Sequence, residues 1–204
     1  STKPVLGVAA MMMIEQGLLR ADDPVSKYIP EFRHMQVAVL KEPADQDISP
    51  MTVPRGEVPP HRLVPAAREI TIHDLLTHTS GLGSGGLGSA VADRPRRQPD
   101  DTLATVIPTY ASMPLDFQPG SRWSYSAGTG LDVVARIVEI VSGTPFDVFL
   151  QQRIFEPLGM RDSYFNVPEA KQSRRVVIKG RNLAAGGGGG VTKYFSASGG
   201  LSST

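Results

Sequence analysis

A long apolar segment near the start of the chain constrains its fold more than any other feature. Residues 4–19 carry no charged side chain before Glu15, and their apolar residues fall on nearly every side of a helix. A helix with that pattern is buried rather than amphipathic, and the segment is too short to cross a membrane. It therefore predicts a buried helix, which the polar stretch containing Pro24 and Pro30 is expected to end.

Lys3 lies at the N-terminal end of this predicted helix, where a cation is unfavourable. The helix dipole and burial both favour a neutral amine, which is the form that acts as a base, although such lysines more commonly extend to water. The hydroxyl that a base at Lys3 deprotonates should lie three residues earlier, directly before Ser1. Ser1, about 200° round the helix, is the nucleophile only if one residue is missing between it and Lys3. We therefore expect the chain to begin inside a longer protein.

Tyr125 is the second candidate for chemistry. It lies with Trp123 in a Gly/Ser-rich turn just before a helical pattern. On one interpretation both aromatic rings only wedge the turn against the core. On the other, Tyr125 presents its hydroxyl to the same site as Lys3, because a phenol beside a cation loses its proton more easily and can transfer protons.

Helical patterns dominate the remaining ordered segments. Thr71 and Asp74 are typical of a capping box that opens a short helix. Residues 131–141 carry an apolar helical stripe that Gly143 is expected to end. Pro145 is expected in the first turn of a further helix.

Three segments lack such patterns. Residues 41–68, rich in proline and charge, predict an irregular surface excursion, and residues 80–101 predict a mobile loop. In the last segment, residues 174–180 could form a strand, and the glycine run at 186–190 predicts a low-complexity joint. Any sheet is therefore expected to lie mostly outside these 204 residues.

Charge and composition exclude several classes of function. The net charge of +1 indicates neither a nucleic-acid partner nor binding to an acidic membrane. The absence of cysteine removes disulfides, thiolate nucleophiles and cysteine-based zinc sites. No paired acid or cysteine accompanies the histidines, so we expect no metal and interpret them as surface or structural residues: His34, His61, His73 and His78. The G-x-G-x-x-G at Gly81, Gly83 and Gly86 is interpreted as a flexible loop, since no strand precedes it.

Five segments, taken in order, resemble the serine β-lactamase and penicillin-binding superfamily. They are STKPVLGVAAMMMIEQGLLRADDPVSKYIPEF, ITIHDLLTHTSGL, FQPGSRWSYSAGTGLDVVARIVEIVSG, IFEPLGMRDSYF and YFSASGGLSST. The similarity is to the class C-like branch, which holds class C β-lactamases, D-alanyl-D-alanine carboxypeptidases and β-lactamase-like family VIII carboxylesterases, and it is strongest to the last of these.

The first motif of that superfamily is S-x-x-K. Lys3 matches its lysine and Thr2 fits the common S-x-T-K form, so the resemblance places the nucleophilic serine directly before Ser1. Ser1 then remains only a fallback.

The second motif is usually Y-x-N, which here is Tyr125-Ser126-Ala127. The missing asparagine weakens the β-lactamase interpretation, since in the lactamases it helps to hold the substrate's amide side chain. The third motif has no counterpart before Thr204. The part of the oxyanion hole that it supplies is expected outside these residues.

The resemblance implies an α+β, β-lactamase/transpeptidase-like fold, an antiparallel sheet flanked by helices with an inserted, mainly helical lobe. Residues 1–204 would be part of such a serine hydrolase domain. Residues 1–40 would hold the nucleophile helix and the following turn, 41–170 the mainly helical lobe, and 171–204 the return toward the sheet.

The implied activity is a carboxylesterase that works through an acyl-enzyme, with Lys3 and Tyr125 as proton-transfer groups. Alternatives are a class C-type β-lactamase or D,D-carboxypeptidase, an acyltransferase, and a non-catalytic binding protein on the same scaffold. The expected partner is a small-molecule ester, with no cofactor, metal, nucleic acid or membrane. We expect a soluble protein, with the cytoplasm slightly favoured over the periplasm or secretion.

Overall fold

The computed structural model describes residues 2–41, 58–93, 96–176 and 191–203. Its helices are α1 (Thr2–Glu15), α2 (Ile72–Thr77), α3 (Leu87–Val91), α4 (Leu103–Val106), α5 (Thr129–Ser142) and α6 (Phe146–Leu150). Its strands are β1 (Gln36–Leu40) and β2 (His61–Pro65). Short 3₁₀ helices lie at Val25–Lys27, Pro30–His34, Ile107–Ser112 and Glu169–Arg174, and a π-helical turn continues α6 through Gln151–Phe155.

Helix α5 is the element around which the other helices pack. It contacts α1, α2, α4 and α6, and its side chains Val133, Val134 and Ile137 are fully buried. Gly143 follows it with a left-handed φ of 66°, which ends the helix as the sequence predicts. Each large aliphatic side chain buried in this way contributes about 1.5–3 kcal/mol to folding.

Helix α1 is buried on one side rather than all round. Val8 is 51% exposed and Met11 48% exposed, so the expected burial of nearly every side is corrected for the described part of the chain. The residues that meet the core recur at helical spacing, and they are Leu6, Ala9, Ala10 and Met13.

Strands β1 and β2 form an antiparallel pair, with Gln36 opposite Pro65 and Leu40 opposite His61. Val37 also bridges to Leu115 in parallel. The prediction of an irregular excursion over residues 41–68 is thus wrong at its C-terminal end. The residues of β2 show no alternation of buried and exposed positions, and Leu63 at its centre is 43% exposed. The sequence of β2 therefore carries no strand pattern, and the strand forms through its pairing with β1.

The predicted capping box at the start of α2 is confirmed. The Thr71 hydroxyl accepts from the Asp74 backbone N–H at 3.2 Å, and the Asp74 carboxylate accepts from the Thr71 N–H at 2.9 Å. Arg68 donates to both carboxylate oxygens, at 2.6 and 2.9 Å. Burial alone would raise the pKa of Asp74, but the donors from Arg68, Thr71 and Thr79 outweigh it and lower the pKa to about 2.

The glycine-rich segment before and within α3 is held by one buried carboxylate. Asp116 accepts from the backbone N–H and hydroxyl of both Ser84 and Ser89, at 2.6–2.8 Å. Gly88 lies so near the backbone of Pro114 and Leu115 that a Cβ at this position would collide with their carbonyl oxygens. The expectation of a mobile loop is therefore corrected for residues 80–93.

Two expectations about the second half of the chain have different outcomes. Pro145 occupies the N-cap of α6, one position before the first helical turn in which it was expected. The expected strand at 174–180 is not formed at its start, because Arg174 ends a 3₁₀ helix. Residues 177–190, which include the rest of that strand and the glycine run, lie outside the described residues.

Candidate active site

Lys3 lies in the first turn of α1 and is half-buried. Its Nζ donates a hydrogen bond to the backbone carbonyl oxygen of Ser198 at 2.6 Å. Beside it, the buried Thr2 accepts at Oγ1 from the Leu201 backbone N–H at 3.2 Å. The start of α1 is therefore attached to a segment almost two hundred residues later in the chain.

That segment is fixed from its other side by Asp132, a 2% exposed carboxylate in the first turn of α5. Four groups donate to it: the Tyr194 hydroxyl at 2.7 Å, the Ser196 hydroxyl at 2.8 Å, and the backbone N–H groups of Ala197 and Ser198 at 2.8 and 3.3 Å. Burial raises the pKa of Asp132, and these donors oppose that shift. Burial, followed by the charge of Asp132, also raises the pKa of Tyr194.

His78 connects the end of α2 to the turn that carries Tyr125. It adopts a left-handed conformation, with φ 61°, directly after α2. Its Nδ1 accepts from the Ser126 backbone N–H at 3.3 Å, and its carbonyl oxygen accepts from the Ser124 N–H at 3.0 Å. A neutral ring that accepts at Nδ1 carries its proton on Nε2.

His78 also interacts with both predicted site residues. Its ring centroid is 4.8 Å from that of Tyr125, and the ring of Trp123 lies edge-on at 6.4 Å. Burial lowers the pKa of His78, and the nearby positive charge of Lys3 lowers it further. His78 therefore contacts the ring of Tyr125, and its pKa responds to the charge of Lys3.

The turn that carries Tyr125 is open on its outer side. The phenol is 47% exposed and Trp123 is 66% exposed, so the interpretation that both rings only wedge the turn against the core does not describe them. The neighbouring Ser126 is buried, and its hydroxyl accepts from the Gly130 N–H in the first turn of α5 at 3.2 Å. Ala127, at the third position of this motif, is exposed.

Sequence reasoning missed three parts of this arrangement. His78 was interpreted as a surface or structural residue, although its position in LLTHTSGL was already part of a specific motif. Asp132 carried a usable signal, because a carboxylate inside an apolar helical stripe is seldom buried without partners. The Ser198 carbonyl had none, since a backbone group leaves no mark in the sequence. Ser1 lies outside the described residues.

Within the described ranges, no three or more carboxylate or imidazole side chains gather as ligands for a metal ion. No helix in the same ranges is both long and apolar enough to span a membrane.

The sequence profile of the Beta-lactamase family matches residues 1–204. The chain belongs to the Beta-lactamase family. The resemblance drawn from the five sequence segments is confirmed, and so is the α+β, β-lactamase/transpeptidase-like fold that it implied.

This Beta-lactamase family member is similar to several named enzymes. It is 36% identical over 168 residues to the lovastatin esterase of Penicillium rubens, covering 81% of this chain and 38% of that protein. It is 34% identical over 171 residues to esterase EstB of Burkholderia gladioli, covering 80% of this chain and 36% of EstB.

A solved structure of EstCE1, described as a hydrolase with promiscuous acyltransferase activity, matches with a TM-score of 0.57 and 28% identity. That match covers 83% of this Beta-lactamase family member and 39% of EstCE1. The chain spans about 40% or less of the length of the curated esterases that it matches.

Proposed function

We propose that the protein is a serine hydrolase that cleaves carboxylic esters through an acyl-enzyme. The observation that carries the proposal is the arrangement around His78, which contacts the Tyr125 ring and lies within the influence of the Lys3 charge. Membership of the Beta-lactamase family and similarity to two esterases support the same reaction class.

In the proposed acylation step Lys3 is the base. The serine expected directly before Ser1 gives its proton to Nζ while its oxygen bonds to the ester carbonyl carbon. The bond between that carbon and the alkoxy oxygen then breaks, and the Tyr125 hydroxyl supplies the proton that the departing alcohol needs. Holding these groups together removes the entropy cost of bringing them into contact.

In deacylation each proton transfer runs in the opposite direction. The phenolate left at Tyr125 takes a proton from water, whose oxygen bonds to the acyl carbon. The bond to the serine oxygen breaks, the protonated Lys3 returns its proton to that oxygen, and a free carboxylic acid leaves. Proton transfer by positioned groups of this kind contributes about 10²–10⁴-fold to the rate.

Turnover of p-nitrophenyl butyrate and nitrocefin by the full-length protein, measured side by side, tests the reaction class. We expect faster turnover of the ester, since Ala127 replaces the asparagine that holds the amide side chain of β-lactam substrates. Faster nitrocefin turnover would instead favour a β-lactamase or D,D-carboxypeptidase.

A fluorophosphonate probe followed by peptide mass spectrometry tests the nucleophile. We expect the label on a serine three residues before Lys3. A label on Ser1 would identify the fallback nucleophile, and failure of the full-length protein to react would favour a binding protein on this scaffold.

A further inference from the structure

Asp132 is a buried carboxylate that the proposed reaction does not use. Within the described part of the chain it forms no ion pair with a lysine, arginine or histidine. A buried charge without a cationic partner is costly, and neutral hydrogen-bond donors only partly offset that cost. The contacts of Asp132 therefore indicate which part of the structure it holds in place.

What Asp132 fixes is the backbone between Tyr194 and Ser198. Two side-chain hydroxyls and two backbone N–H groups of this short segment converge on one carboxylate. The Ser196 hydroxyl also lies 2.8 Å from the Ser198 hydroxyl. The guanidinium of Arg97 lies 3.9 Å above the Tyr194 ring and covers it. Side-chain or backbone contacts therefore hold this segment in place at every second residue or more often.

The same segment ends at the group that holds Lys3. The Ser198 N–H donates to Asp132, and the Ser198 carbonyl oxygen accepts from Lys3 Nζ at 2.6 Å. Beyond it, Leu201 is tied to Thr2 on the same helix as Lys3. A single residue thus links the carboxylate on α5 to the amine on α1.

We propose that Asp132 is a positioning residue for Lys3, acting through the backbone of Ser198. The hydrogen bond to the Ser198 carbonyl oxygen fixes Lys3 Nζ at the start of α1. A shift of Ser198 would therefore move the amine away from the hydroxyl that it is proposed to deprotonate. This inference rests on the proposed function, in which Lys3 has the role of base.

Asp132→Asn in the full-length protein tests the inference. The amide keeps the volume of the carboxylate but places an NH₂ group where a donor now points. We expect kcat for p-nitrophenyl butyrate to fall on the order of 10–100-fold, since small misplacement of a reacting group has that effect, with KM little changed. Tyr194→Phe, which removes only one donor, should lower kcat in the same direction but less, and it keeps the test independent of whether Asp132→Asn folds.

Asp116→Asn is the matched control. Asp116 is also a buried carboxylate that collects serine and backbone donors. Its segment contacts the turn of Tyr125 rather than Lys3, because the Ser124 hydroxyl donates to the Ser84 carbonyl oxygen at 3.4 Å. We expect this variant to lose stability, and any loss of kcat that it causes should multiply with that of Lys3→Arg, whereas the loss caused by Asp132→Asn should not.

A double substitution separates positioning from general structural damage. In a Lys3→Arg background Asp132→Asn should cause no further loss of kcat, because both changes disable the same base. The inference is overturned if Asp132→Asn and Tyr194→Phe leave kcat unchanged in an active enzyme, or if the losses multiply in the double variant. A wild-type protein that neither turns over esters nor reacts with the fluorophosphonate overturns the proposed function itself, and this inference with it.

Discussion

His78 accepts a hydrogen bond at Nδ1 from the backbone N–H of Ser126, 3.3 Å away and 48 residues later in the chain. This contact joins the end of α2 to the turn in which Tyr125 and Trp123 lie exposed. The Tyr125 ring lies against the same imidazole. The position of the phenol therefore depends on His78, which the backbone of Ser126 holds in place.

Tyr125→Phe is expected to lower kcat for ester hydrolysis by about 10²–10⁴-fold, because it removes the hydroxyl that transfers protons. The ring remains, so its contact with His78 and the melting temperature should be retained. Tyr28→Phe is the control, since the Tyr28 hydroxyl donates to Asp23 at 2.5 Å and interacts with Lys27 rather than with the residues of the candidate site. Steady-state kinetics and thermal melting measure both effects, and an unchanged kcat for Tyr125→Phe would remove this residue from the mechanism.

Lys3→Arg is expected to lower kcat on the order of 10³-fold. Arginine keeps the positive charge and a donor for the Ser198 carbonyl, but it does not deprotonate in proteins and so cannot act as a base. Lys27→Arg, at a half-exposed lysine paired with Asp23 at 2.8 Å, provides the control. The measurement is the rate of fluorophosphonate labelling together with kcat; equal rates for Lys3→Arg and the wild type would show that Lys3 contributes charge alone.

Local sequence patterns predicted the elements that depend on neighbouring residues. The capping box of Thr71 and Asp74 and the end of α5 at Gly143 were predictable because caps and turns are determined within a few positions. Strand β2 was not, because its pairing with β1 joins residues more than twenty positions apart and its side chains are mostly exposed.

The candidate site divides in the same way. Lys3 and Tyr125 were predicted from their motifs, and their catalytic roles stay a prediction. The groups that hold them are a histidine ring, a backbone carbonyl and Asp132, which become neighbours only when distant segments pack together. Sequence periodicity reports which face of an element is buried, but it does not report which distant backbone group meets it.

The histidine at position 78 predicts a pH dependence of stability. Burial and the charge of Lys3 lower the pKa of His78 below its ordinary value of 6.5, so the unfolded chain takes up a proton more readily than the folded one. The contribution of neutral His78 to the free energy of unfolding is therefore fully present above about pH 6.5. It is lost as the pH falls through the lowered pKa of the folded state. Protonation would also remove the acceptor that Nδ1 offers to Ser126.

His78→Asn should show a smaller loss of melting temperature than the wild type between neutral and mildly acidic pH. Asparagine tolerates the left-handed backbone at this position and does not titrate. His73→Asn, at an exposed histidine in α2, is measured alongside as a control for the His-to-Asn substitution itself. Identical pH profiles for the wild type and His78→Asn would show that His78 does not titrate differently on folding.

The ion pair between Arg68 and Asp74 predicts that substitution of Asp74 lowers the free energy of unfolding by a large and pH-dependent amount. The Asp74 side chain is only 3% exposed, whereas that of Arg68 is 45% exposed and remains hydrated without its partner. Asp74→Asn removes the charge to which Arg68, Thr71 and Thr79 donate, so we expect a loss of about 2–4 kcal/mol in the free energy of unfolding near pH 7. Asp22→Asn, in an exposed and hydrated pair with Arg20, should cost far less.

Acid should reduce the difference between Asp74→Asn and the wild type. The folded pKa of about 2 lies below the ordinary 3.8, so the carboxylate stabilises the fold above about pH 3.8 and loses that contribution as the pH falls through about 2. The variant lacks the contribution at every pH, and the two unfolding curves should therefore approach each other on acidification. Urea denaturation of the full-length proteins near pH 7 and near pH 3 measures this, and a difference that stays constant across that range would show that the loss comes from the broken cap rather than from the charge.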